Sequence, residues 1–490
     1  MAGENEIFVV TGPGQGHLHP SMELCNHLAS RSYHSTLVVP STALSSFIPS
    51  SFTQNPLTGI VRIAGSSTPH MPGPDPFRHQ AAQDLEAQLS GRSARPLCAI
   101  IDFQMGWTKN IFWKFDVPVI GFFTFGACAA AMEWGAWKAE AGDIKPGELR
   151  LVPGLPEEMA LNYSDLKRRY PGPPGGPPGA GSNPPIGGGG GGGPPKPGDR
   201  PPWVPEIEGS IGLMFNTCDD LERPFIDYLT NQIAVPVWGV GPLLPEQYWK
   251  SSDSLIHDHQ IREHRRQSNY SEDDVVQWLN SKPRGSVLYV SFGSEVGPTM
   301  EEYPHLANAL VESARPFIWV IQPGSGIPIH VGVGDSGRAD PGDPKEGYFS
   351  HGLELDSKVG ERGLIIEGWA PQLLILSHPS TGGFLSHCGW NSTVEAMGRG
   401  VPFLAWPIRG DQYYNAKLVV SYLEVGHRVA ENLSEMVRKE DVAKGIETLM
   451  GDDETKKRAM TLRLKFNHGF PMSSVGALDD FCNFIRRKGP

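Results

Sequence analysis

The chain has 490 residues, 39% hydrophobic and 20% charged, with 42 Lys and Arg against 54 Asp and Glu for a net charge of −12. That length exceeds one ordinary domain and leaves room for two with ample buried core. An acidic balance without any Lys/Arg-rich block repels phosphate backbones and argues against a nucleic-acid partner.

Six cysteines, Cys25, Cys98, Cys128, Cys218, Cys388 and Cys482, lie far apart with no C-x-x-C pair, and read as reduced core thiols of a cytoplasmic protein. The opening MAGENEIFVV carries acids where a secretory signal needs bases, so no secretion route is expected. The most apolar stretch, residues 117–132, is uncharged but holds Pro118, Gly121 and Gly126. It is shorter than the ~20 residues that cross a bilayer, so no integral membrane segment is expected.

In chain order, EIFVV reads as a strand, GPGQGH as a Gly-rich turn, the stretch from Pro20 as a helix with apolar Leu24, Cys25, Leu28 and Ala29, and STLVV as a second strand. This βαβ unit implies a parallel sheet. PLCAIIDFQ and VPVIGFFTF continue it as buried strands, followed by a small-residue helix near Ala127. Residues 171–202 then hold 13 Gly and 12 Pro, a composition that cannot bury enough apolar surface to order itself, and are expected to be a disordered insertion. IGLMFNTCDDLE resumes strand and helix, VPVWGVGPLL is a further strand, and the polar stretch over 246–269 reads as an interdomain linker. SVLYVSFGS, PFIWVIQ, GLIIEGW, GGFLSHC and VPFLAWP form a second strand series, with a helix over 301–313 after the first, a Gly/Pro loop to about residue 343 after the second and a helix between the last two, and the chain finishes in helices. Two successive parallel α/β domains follow, with ligands expected beyond the carboxyl ends of the strands and in the cleft between domains.

Residues 369–412 scatter Gln372, His387, Asn391, Ser392, Glu395, Asp411 and Gln412 among Trp and Gly. SHCGWNSTVEA places a strand end, a Gly, and a helix start at Asn391 or Ser392, whose unpaired amides and dipole favour an anion. His387 and the Ser392 hydroxyl add donors suited to a diphosphate. Ser392 and Glu395 equally match a capping box. Trp369, just past a strand, is either a stacking plate for a planar base or a core residue. Asp411 and Gln412 either grip vicinal hydroxyls or cap the following helix. Plate, anion site and hydroxyl grippers at successive strand ends together describe a nucleotide sugar.

This 44-residue stretch resembles the signature box of the plant family 1 UDP-dependent glycosyltransferases, without a gap. GPGQGH, FNTCDDLE, VGPLL and WLNSKPRGSVLYVSFGS extend the resemblance; the Gly/Pro insertion, the loop over 323–358 and the acceptor side depart from it. The resemblance implies a GT-B type fold of two Rossmann-like domains facing across a cleft. It implies an acceptor-binding domain over 1–250, a linker over 251–270, a UDP-sugar-binding domain over 271–465, and a terminal helix over 466–490 packing back on the first domain. Trp369 would stack on uracil beside Ala370 and Gln372. His387, Asn391, Ser392 and Ser294 would bind the diphosphate, Glu395 the ribose, and Trp390, Asp411 and Gln412 the sugar, with the terminal Gln marking glucose.

Sugar transfer needs a base for the acceptor hydroxyl. His17, at the end of the first strand-turn, is placed for that task, and in the family pattern it is the base. His17 and His19 as an H-x-H metal pair is the alternative, with no third ligand close in sequence. Asp102, ending a buried strand, either caps a helix or fixes the His17 tautomer; the family match makes it the dyad acid. Thr124 would reach the sugar's 6-hydroxyl by similarity, or bond to backbone. No D-x-D occurs in the chain, so leaving-group charge falls to the helix start and His387, and one displacement inverts the anomeric carbon. The expected donor is UDP-glucose, with no cofactor or metal, and the expected acceptor a small lipophilic phenol such as a flavonoid. Two rivals stand: a non-catalytic nucleotide-sugar or small-molecule binder, and an NADP-dependent oxidoreductase, although Gly12, Gly14 and Gly16 give G-x-G-x-G rather than the dinucleotide spacing.

Overall fold

A computed structural model describes residues 5–40, 47–65, 77–167, 196–250, 255–258, 268–294, 296–299, 301–321 and 358–488. The Gly/Pro-rich insertion up to residue 195, the loop over 323–357 and most of the polar stretch over 251–267 lie outside the described residues.

The first lobe is a seven-stranded parallel sheet. Its strands are β1 (Glu6–Val10), β2 (His34–Val39), β3 (Thr58–Arg62), β4 (Cys98–Asp102), β5 (Val119–Phe123), β8 (Leu213–Phe215) and β9 (Val237–Gly239). They lie in the order β3-β2-β1-β4-β5-β8-β9. A short antiparallel pair, β6 (Leu149–Arg150) and β7 (Leu161–Asn162), stands apart from it. The second lobe is a six-stranded parallel sheet in the order β12-β11-β10-β13-β14-β15. Its strands are β10 (Val287–Ser291), β11 (Phe317–Ile321), β12 (Gly363–Glu367), β13 (Thr381–Ser386), β14 (Phe403–Ala405) and β15 (Gly426–Arg428).

Continuous apolar runs such as EIFVV and CAIID make central strands because a parallel sheet is covered on both faces. Alternation then sorts side chains: Ile7 and Val9 face one core, Phe8 and Val10 the other. Leu478, Phe481 and Ile485 of the terminal helix Met472–Lys488 sit in the first of these cores. Arg31 Nε meets Asp479 at 2.7 Å, and Trp238 Nε1 donates to Asp480 at 2.8 Å. A third core runs through both lobes, from Phe123 and Phe215 to Tyr289, Phe384 and Tyr414, so the lobes share one apolar interface. Inside it, Lys417 Nζ pairs with Asp165 Oδ2 at 2.6 Å, both side chains nearly inaccessible.

Several sequence expectations are corrected. The first helix spans Gln15–Ala29 and does not start at Pro20, because Gly14, at φ 96°, turns the chain into it. The polar stretch opens with a helix, Glu246–Lys250, whose Tyr248 and Trp249 are buried. The end of the insertion, residues 196–202, is placed, with Pro201 buried. β3 and β15, both edge strands, carry too short or too mixed an apolar run to announce themselves. Among the described residues, no helix is long and apolar enough to cross a membrane, and all six cysteines are buried free thiols.

Candidate active site

In each lobe the strand order reverses at one point, and ligands of such sheets bind at the carboxyl ends of the strands flanking it. In the first lobe these are β1 and β4. β1 runs into the Gly-rich turn, which delivers His17 in the first turn of the helix; β4 ends in Asp102. His17 Nδ1 lies 2.6 Å from Asp102 Oδ2, with Asp102 fully buried and His17 partly open. Asp102 Oδ1 accepts the Gln104 amide at 2.9 Å, so the carboxylate also caps the turn Phe103–Thr108. Asp102 thus caps the turn and hydrogen-bonds the imidazole at once. A carboxylate can only accept here, so the imidazole carries its proton on Nδ1 and its lone pair on Nε2. A Cβ at Gly12 would stand 3.0 Å from both His17 and Asp102, which explains glycine there. Thr124, just beyond β5, turns its hydroxyl to His17 Nδ1 at 3.1 Å.

In the second lobe the reversal lies between β10 and β13. Beyond β10 come Gly293, at φ 76°, and exposed Ser294; beyond β13 comes His387. Burial, with Arg409 nearby, lowers the His387 pKa to about 4, so the ring is neutral at pH 7. Its Nδ1 has no hydrogen-bond partner among the described residues. A side chain at Gly293 would press the ring at 2.9 Å.

The helix here is Trp390–Met397, capped at Gly389, one residue ahead of the expected start. The capping box does not form. Ser392 Oγ and Glu395 Oε2 instead both accept from Gln372 Nε2, at 2.9 and 2.6 Å. A tertiary partner carried on the helix after β12 thus outcompetes the local pattern. Trp369 follows β12 half-buried, and Ala370 beside it is buried.

Asp411 does not cap the helix Gln412–Lys417 with its side chain; its Oδ2 accepts from Asn415 Nδ2 at 2.7 Å. Burial raises its carboxyl above the ordinary value, while Asn415 and, across the cleft, His17 act the other way. Gln412 Oε1 accepts the amides of Ile408 and Arg409 at 3.0 and 2.9 Å, which leaves Nε2 as its donor end.

Trp390 and Asn391 of the 369–412 box bridge the lobes beside the site. Trp390 Nε1 donates to the Asn216 carbonyl at 2.5 Å. Asn391 Nδ2 donates to the Gly16 carbonyl at 3.2 Å. Pro20, four residues on, has no N–H to bond that carbonyl within the helix. The two strand-end clusters therefore face one another, with Gly16 adjacent to His17. Among the described residues no group of three or more His, Cys, Asp or Glu side chains is placed to hold a metal ion, at His17 and His19 or elsewhere.

A profile of the family described as UDP-glucoronosyl and UDP-glucosyl transferase matches residues 263–487. UDP-glycosyltransferase 73C5 of Arabidopsis thaliana is 32% identical over 396 residues, covering 78% of this chain and 71% of that protein. The chain belongs to the plant UDP-glycosyltransferases of family 1. Scopoletin glucosyltransferase of Nicotiana tabacum is 28% identical to this glycosyltransferase, covering 92% of it and 90% of the relative. UGT2 of Phytolacca americana, solved with UDP-2fluoro-glucose and pterostilbene, is 22% identical with a TM-score of 0.68, covering 98% and 99% of the two chains. The glycosyltransferase thus has the GT-B fold.

Three residues of the site escape sequence reasoning. Tyr289, buried within β10, donates to Gln372 Oε1 at 3.1 Å and so orients that amide. Glu222 accepts the amides of Ala127 and Cys128 at 2.7 and 2.9 Å, capping the helix Ala127–Lys138. Burial raises its carboxyl to about 7 against the hydrogen bonds from the Cys128 and Ala127 amides. Asn216 joins Thr124 to Trp390. Asn216 and Glu222 both stand in FNTCDDLE, where a polar run directly after a buried strand was the available signal.

Proposed function

We propose that this glycosyltransferase transfers glucose from UDP-glucose to a hydroxyl of a small lipophilic phenol, with a flavonoid as first candidate. The acceptor is assigned to the lobe over 1–250 and the donor to that over 271–465, with 466–490 returning to the first. The observation that carries the reading is the apposition of the His17–Asp102 pair to the 369–412 box, closed by the Asn391–Gly16 hydrogen bond.

In this reading Trp369 stacks on uracil next to Ala370 and Gln372, and Glu395, held by Gln372, takes the ribose hydroxyls. Ser294, Asn391, Ser392 and the amides opening the helix Trp390–Met397 meet the diphosphate. His387, neutral, serves there as a hydrogen-bond donor and adds no charge. Trp390, Asp411 and the Gln412 amide hold the sugar, and Thr124, its hydroxyl 3.1 Å from His17 Nδ1, reaches the sugar's 6-hydroxyl.

The acceptor oxygen attacks the anomeric carbon and forms the new C–O bond. Its proton passes to His17 Nε2, and the bond from the anomeric carbon to the β-phosphate oxygen breaks with its electron pair leaving on UDP. Asp102 stabilises the imidazolium that forms. One displacement inverts the anomeric centre, and no step in this scheme requires a metal. Phe125, partly exposed next to Thr124 and backed by ring contacts to the buried Phe103 and Phe123, offers an apolar surface to a planar aglycone. Among the similar proteins, one is named for scopoletin and another was solved with pterostilbene. Six buried thiols suit a reducing compartment, the cytoplasm.

The test is a panel of flavonoids and simple phenols with UDP-glucose, UDP-galactose and UDP-xylose, scored by product mass and attachment site. Product with UDP-glucose and a phenol is expected. Turnover confined to another donor would overturn the sugar assignment, and no product from any phenol would overturn the acceptor class.

A further inference from the structure

Thr124 stands one residue past β5, where the ladder to β8 ends at the pair Phe123 and Phe215. Beyond that pair the sheet no longer dictates which way the backbone turns, yet the Thr124 hydroxyl is held 3.1 Å from His17 Nδ1. The replacement bond comes from Asn216, the residue after β8, whose Nδ2 donates to the Thr124 carbonyl at 3.0 Å.

Asn216 is itself fixed from every side. It is 1% exposed. Its amide donates to the Phe123 carbonyl at 2.9 Å, and its Oδ1 accepts the Leu243 amide at 2.6 Å. Its own carbonyl accepts the Trp390 indole N–H from the opposite lobe at 2.5 Å. A buried amide whose polar groups are all satisfied has one orientation, and groups hung from it inherit that orientation.

We propose that Asn216 is a positioning residue for sugar transfer. Its side-chain amide sets the Thr124 carbonyl, and so the Thr124 hydroxyl against His17, while its carbonyl seats the indole that borders the donor side. One side chain thereby registers the base with the lobe that carries the sugar. The inference rests on the reading of His17 as the base.

The experiment uses the full chain with UDP-glucose and its best phenolic acceptor. Asn216→Asp keeps an oxygen for the Leu243 amide but turns an acceptor towards the Thr124 carbonyl. Misplacement of a catalytic group by under an ångström predicts a fall in kcat of about tenfold, with KM for UDP-glucose within about twofold. With Thr124 no longer accepting from Nδ1, the imidazolium is less favoured, and the acidic limb of the kcat/KM profile moves to lower pH. In a Thr124→Val background the same change costs less than about twofold, because its route to His17 is already gone. Equal costs in both backgrounds, or an unchanged kcat and pH profile in Asn216→Asp, would overturn the proposal. Should Asn216→Asp fail to fold, Thr124→Val alone must reproduce the lower kcat and the moved limb; wild-type values there overturn it as well. Retained turnover in His17→Ala would instead sink the base assignment, a separate outcome.

Discussion

Replacing Asp102 by Asn probes the dyad with almost no change of shape. The Gln104 amide donates to Oδ1 at 2.9 Å and will continue to demand an oxygen there. The new NH2 must therefore occupy the Oδ2 position, 2.6 Å from His17 Nδ1. A donor at that distance forces Nδ1 to accept, which moves the ring proton to Nε2 and removes the lone pair the acceptor hydroxyl needs. The charge-assisted bond to the forming imidazolium, about 1.5–3 kcal/mol, is lost as well. Wrong tautomer and lost charge together predict a fall in kcat of about 10²- to 10⁴-fold. Thermal unfolding should stay near wild type, since the Gln104 bond survives. The assay is initial-rate glucoside formation by chromatography, with UDP-glucose binding measured by calorimetry. A fall in kcat below about tenfold, or a loss of UDP-glucose affinity at unchanged kcat, would refute the tautomer argument.

Three further outcomes follow from the packing. Burial lifts Glu222 from 4.5 to about 7, so between those values the folded chain holds a proton that the unfolded chain has released, and stability falls as pH rises. At about 1.4 kcal/mol per pH unit this is roughly 3 kcal/mol; Glu222→Gln, neutral throughout, should lack that slope in urea titrations at pH 5 and 8, and parallel curves would contradict it. Lys417→Met takes from buried Asp165 its 2.6 Å partner at the lobe interface but leaves it Arg428 at 3.9 Å and the Asn162 amide, and should cost about 1.5–3 kcal/mol, the worth of one charge-assisted hydrogen bond; a stability loss under about 1 kcal/mol would count against a desolvated pair. Tyr289→Phe removes one hydrogen bond to Gln372, worth about 1 kcal/mol, and should raise KM for UDP-glucose about fivefold at constant kcat; a change confined to kcat would be inconsistent with this role.

What the chain announced and what it concealed divide by the range of the interactions. Buried apolar runs and Gly-rich turns are local, so the two strand series, the strand ends at Asp102 and His387 and the Gly-rich turn that leads to His17 were legible. The helix start at Gln15 was missed because Pro20 reads as a first-turn residue, whereas the carbonyl it leaves open is met by Asn391, 375 positions away. Ser392 and Glu395 matched a capping box because that pattern is local; the partner they take, Gln372, lies 20 and 23 positions upstream. The docking of Trp390 on Asn216 spans 174 positions, beyond the reach of any periodicity. Tyr289 was hidden for another reason: inside a buried strand an aromatic residue looks like core, and only its hydroxyl reaches the site.

The central claim is that one imidazole of the first lobe takes the proton from an acceptor attacking a sugar anchored by the second. Single-turnover product formation from UDP-glucose and a phenol, compared between the wild-type chain and His17→Ala, tests it most directly. The account predicts a rate at least about hundredfold lower in the variant, with UDP-glucose bound as tightly as before; equal rates in the two chains would contradict it.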